Sequence, residues 1–145
     1  MRRIKRWLFG MTAGVALSVL LAEALLALGE LWTGQAALLA SLAAGQTLGA
    51  PALIGLLFIW LLAALAGGAL GTALARSSAA GSAAGFLPGL ALAFNTVVGA
   101  QSDSLALMLG LTPVLGSLLG IRFAQQLISR DQAGADNAAS STAGL

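Results

Sequence analysis

A chain of 145 residues holds one domain, and this one is 59% apolar and only 8% charged. Soluble domains carry about 25% charged residues, so lipid must be the solvent for most of this surface. Histidine and cysteine are both absent, which excludes disulfides, histidine- or cysteine-held zinc or haem, and His-based catalytic dyads or triads.

The chain opens with Arg2, Arg3, Lys5 and Arg6, and a first apolar run follows over about 7–29. Such a run supplies the ~20 helical residues that cross a ~30 Å hydrocarbon core. "AEA" within it mimics a signal-peptidase site, but the apolar run continues well past it, so an uncleaved anchor is expected. Trp7 and Trp32 flank this span as interfacial aromatics do. The uncharged stretch Leu31 to Ala50 is interrupted by glycine and glutamine. It reads as an outer loop whose short helix, near Ala36 to Ala44, lies in the interface or re-enters the membrane.

Three further spans are expected over about 51–75, 79–100 and 104–124. Pro51 suits a first helical turn, where its missing N–H is no loss. "QSDS" is a tight turn in which Ser102 or Asp103 can cap the fourth helix. Pro88 and Pro113 fall within spans three and four and each removes one backbone hydrogen bond. The tail 131–145 lacks a periodic apolar face and reads as disordered.

With four spans, all seven basic residues fall on one side. By the positive-inside rule that side is cytoplasmic, as are both termini. The basic excess of +2 and the pI near 10.6 therefore report orientation, and no nucleic-acid partner is expected.

Small residues recur every four positions in each span. The stripes are Gly10, Gly14, Ser18 and Ala22; Ala63, Gly67, Gly71 and Ala75; Gly81, Gly85, Gly89 and Ala93; and Gly116, Gly120 and Ala124. Helices associate in lipid by close van der Waals approach, which small faces permit. The expected fold is therefore an all-α integral membrane protein, a small-residue-packed bundle of four transmembrane helices. The stripes leave open whether they also bind a second copy or a larger membrane complex.

Glu23 stands inside "SVLLAEALLALGELW". With Ser18 as the centre of span one, Glu23 lies about 7.5 Å toward the outer face. With Leu90 as the centre of span three, Asn95 lies equally far toward the same face, and Thr96 one step further. A Glu23–Asn95 hydrogen bond is the most economical pairing, with Glu30 on the same face as Glu23 and Gln46 or Thr47 able to join. Three roles stay open for Glu23: a structural hydrogen bond, proton or cation coupling, or snorkelling toward the outer interface.

"VLLAEALLALGE", Val19 to Glu30, resembles the first helix of small multidrug resistance transporters. That resemblance implies that Glu23 is a shared proton and drug site. Span three, however, reads "GFLPGLALAFNTVVGA" where that family has a Trp-Ser-Gly motif, and the outer loop is longer than the family's. The whole layout is more similar to bacterial four-span membrane proteins of unknown function. The features are the basic start, the long first outer loop, "AGGALGTALARS" and "PVLGSLLGIRFAQQL". That similarity implies an inner-membrane location and no particular activity. No P-loop, HExxH or GxSxG pattern occurs. The expected function is a non-enzymatic accessory or structural membrane subunit without a cofactor, the alternative being a small proton- or ion-coupled transporter using Glu23.

Overall fold

A computed structural model describes residues 2–33, 49–98 and 103–142. They form four helices: α1 (Arg2–Thr33), α2 (Ala50–Ala75), α3 (Ser78–Val98) and α4 (Asp103–Thr142). All four contain a stretch long and apolar enough to cross a membrane: Arg3–Glu30, Ala50–Ala75, Ser78–Val98 and Ser104–Arg130. Helix is the required solution there, since a lone segment in lipid must satisfy its own backbone amides. The short outer-loop helix expected near Ala36 to Ala44, and the Ser102 cap, lie outside the described residues.

Two boundaries differ from those expected. α1 extends to Thr33, four residues past the apolar run. α4 continues through Asp131–Thr142, so the part of the tail that is described is helical, where disorder was expected. Extending an existing helix needs no new nucleus, and this alanine-bearing segment needs no apolar periodicity to continue one. At the start of α2, Gly49 holds the N-cap position in extended conformation, with Pro51 just inside the helix.

The helices alternate in direction and close into the ring α1–α2–α4–α3, with α2 and α3 also touching across it. The glycine stripes make these contacts. A Cβ on Gly14 would lie 2.7 Å from the Gly67 carbonyl oxygen, and one on Gly10 would lie 2.7 Å from the Ala75 Cβ. Gly71 is shared, with the carbonyls of Gly10 in α1 and Ala80 in α3 each 3.1 Å from its would-be Cβ. On the other side of the ring, Gly85 lies against the Pro113 carbonyl and Ser117, and Gly89 against the Gly110 carbonyl. Gly116 and Gly120 seat α4 on the Leu61 and Leu65 carbonyls of α2. The α1 and α2 stripes thus face each other, and the α3 and α4 stripes each pack on another helix of the same chain.

The outside is the reverse. All five phenylalanines (Phe9, Phe58, Phe86, Phe94 and Phe123) are exposed, as are Leu20, Ile54, Leu90 and Val98. This apolar shell suits hydrocarbon, where large side chains on the surface incur no hydration penalty. Toward the ends of α1 and α3 that are rich in acids and amides, the interior changes character. There Ala22, Leu26, Leu56, Trp60, Ala63 and Leu109 form one buried cluster.

Candidate functional site

Glu23 does not join the interior. The buried face of α1 is the single four-spaced row Gly10, Gly14, Ser18, Ala22 and Leu26. Glu30 continues that row and is half-buried, whereas Glu23 sits one residue off it, about 100° around the helix, and is exposed. Asn95 is exposed on α3, while Thr96 beside it is buried and donates its hydroxyl to the Leu92 carbonyl at 2.7 Å. Among the described residues no hydrogen bond joins Glu23 to Asn95. Of the four residues expected to form a buried polar site, the structure buries Thr96, half-buries Glu30, and leaves Glu23 and Asn95 outside.

Glu23 and Asn95 are also parted in height, by the register of α1 against α3. α1 and α3 run in the same direction, and the Ser18 hydroxyl on α1 lies 3.0 Å from the Ala84 carbonyl on α3. With those residues level, Glu23 matches Gly89, and Asn95 sits about 9 Å further along the bundle. Taking the two spans as aligned at their midpoints placed the acid and the amide at the same height when they are not.

The Ser18–Ala84 contact has its own cause in the sequence. Pro88 has no N–H, so the Ala84 carbonyl, four residues earlier, lacks its helical donor. A buried carbonyl without a partner is costly. Ser18, fully buried and within 2.9 Å of its own Val15 carbonyl as well, supplies the replacement from the neighbouring helix. Pairing each in-helix proline with a serine or threonine on another span is the signal that finds this contact. Two buried polar atoms have no partner among the described residues, the Thr72 hydroxyl and the Trp60 indole nitrogen.

The arginine end carries the other polar features. The Arg6 Nε donates to the Leu74 carbonyl at 2.9 Å, capping one of the four carbonyls that a helix C-terminus leaves open. The chain then turns at Arg76, whose φ of 51° makes it the only described non-glycine residue in the left-handed region. Three cavities are relevant. One of about 560 Å³ lies among Arg3, Arg6, Trp7, Arg76 and Ser77. A second, about 320 Å³, lies among Thr72, Arg76, Ser77, Gln125 and Ser129. The third, about 480 Å³, is an apolar groove between α3 and α4 bordered by Phe86, Leu90, Val97 and Leu111. Neither Glu23, Glu30 nor Asn95 borders any of the three. Among the described residues no group of three or more acids, histidines or cysteines is placed to hold a metal ion.

The architecture defines a four-helix, multi-pass membrane protein. No family model, curated protein or solved structure matches the chain.

Proposed function

We propose that the protein is a non-enzymatic subunit of a membrane assembly, held by a second copy or another membrane protein against the α1 face that carries Glu23. The observation that carries this reading is the position of Glu23 itself. It is exposed on the outer surface of the bundle, seven residues or about 10 Å inside the end of the first apolar stretch. A carboxylate facing lipid at that depth costs several kcal/mol, on the order of 2.5–3.5 for an acid at the centre of a span. A polar or basic group on a neighbouring helix removes that cost. Among the described residues the inward face of α1 is the row Gly10, Gly14, Ser18 and Ala22, packed on α2 and α3, and Glu23 lies off that row.

The chain's lack of histidine and cysteine supports a non-enzymatic role without a cofactor. The arginine end faces the cytoplasm in this reading, with both termini inside a bacterial inner membrane, because the positive-inside rule acts on short flanks such as this one.

Native mass spectrometry in mild detergent tests the assignment. The wild-type chain should run with a stoichiometric companion, either itself or another polypeptide. Glu23→Leu should lose the companion while the monomer stays helical. A wild-type chain that runs alone under conditions preserving other membrane complexes would contradict the reading. So would a Glu23→Gln variant that keeps its companion but loses a pH-driven phenotype, which would favour coupling.

A further inference from the structure

The two polar cavities at the arginine end share Arg76 and Ser77 and flank them. We propose that together they form a built site for the phosphodiester headgroup of an anionic membrane lipid that carries hydroxyls rather than an amine, as phosphatidylglycerol does. The proposal rests on the bundle spanning a membrane. It does not depend on which side the arginine end faces, nor on what covers Glu23.

Three arginines border the larger cavity, Arg3, Arg6 and Arg76, and no carboxylate among the described residues borders it. Planar guanidinium donors match phosphate oxygens in pairs, so this is a strong arrangement for a phosphodiester. Arg6 is already fixed by its Nε bond to the Leu74 carbonyl, which leaves its terminal nitrogens free to donate. Arg76 is held in left-handed backbone geometry that non-glycine residues rarely adopt. That geometry places a cation where the polypeptide turns from α2 into α3 and where the unpaired first-turn amides of α3 also lie. Trp7, half-buried on the border of the same cavity, is the residue type that settles at headgroup depth.

The smaller cavity adds selectivity. Its border is uncharged apart from Arg76 and includes Gln125, Ser129 and Thr72. Thr72 is 2% exposed, and its hydroxyl has no partner among the described residues. Such a pocket suits the hydroxyls of a glycerol headgroup. An ammonium headgroup would find no acid there and would meet the like charge of Arg76.

The full chain in mild detergent, titrated with phosphatidylglycerol and with phosphatidylethanolamine of the same acyl chains and read by native mass spectrometry, tests the site. Phosphatidylglycerol should bind on the order of ten-fold more tightly. Arg3→Gln and Arg76→Asn should each remove most of that preference; asparagine tolerates the left-handed turn, so the second change deletes the cation without straining the backbone. Arg130→Gln, a charge outside both cavities, should alter it by less than about two-fold. Equal retention of the two lipids by the wild type would overturn the proposal, and so would an equal loss with Arg130→Gln, the mark of diffuse attraction. Displacement of the lipid by millimolar inorganic phosphate would overturn the lipid assignment in favour of a free-anion site.

Discussion

At the arginine end the helices meet through Gly10, Gly14, Gly67, Gly71, Gly85 and Ser117, backbone against backbone. At the other end, apart from Gly89 on the Gly110 carbonyl, they meet through Leu26, Leu56, Trp60 and Leu109, side chain against side chain. In water both arrangements would be driven by removing apolar area from solvent. In lipid that drive is absent between helices, and shape carries the load. An added atom at Gly14, Gly67 or Gly85 meets backbone, which yields less than a side chain does. The leucine half is filled by flexible side chains, which rearrange around a change. One bundle thus contains a rigid waist near the arginines and a softer end near Glu30.

The largest effect should come from adding bulk to the waist. Gly85→Leu drives a side chain into the Pro113 carbonyl and Ser117, and should cost more than about 3 kcal/mol. Thermal unfolding in detergent, beside Leu92→Ala on the half-buried flank of the same helix, measures it. Equal stability of the two variants would reduce the stripe to an accident of composition.

Truncation at the softer end should matter less. Leu56 is fully buried, yet Leu56→Ala should cost less than the ~2–5 kcal/mol usual in soluble cores, since lipid already solvates leucine in the separated helices. Steric-trap or denaturant unfolding in bicelles gives the number. A loss at the soluble-core level would show that the two halves are equally rigid.

A smaller and more specific effect belongs to Ser18. Ser18→Ala removes the donor to Ala84 and should cost roughly 0.5–2 kcal/mol. In a Pro88→Ala background the residue at 88 regains its N–H and can bond Ala84 within the helix. There the same Ser18→Ala change should cost almost nothing. An additive double-mutant cycle would show that the proline and the serine are unrelated.

Much of this was legible in the residues. The four spans follow from apolar runs of bilayer length, and the stripes follow from their four-residue period. The row on α1 was readable further than the glycines suggest: counting on by fours reaches Leu26 and then Glu30, and passes Glu23 by. What sequence could not supply was the height of one helix against another. Span midpoints are known only to within a few residues, and an error of six residues moves a side chain about 9 Å. An offset of that size separates Glu23 from Asn95. The vertical register is set by contacts such as Ser18 with Ala84, which come to light only when a proline's orphaned carbonyl is matched to a hydroxyl elsewhere. The helical run through Asp131–Thr142 escaped for a different reason, since continuation from an existing helix leaves no periodic signature.

The register of α1 against α3, set by Ser18 and Ala84, separates Glu23 from Asn95. The chain contains no cysteine, so paired substitutions report on it without background. Oxidative cross-linking in native membranes should join Ser18→Cys to Ala84→Cys within one chain and leave Glu23→Cys with Asn95→Cys unlinked within a chain. Efficient cross-linking of the second pair, with none of the first, would contradict the account and return the acid to the interior.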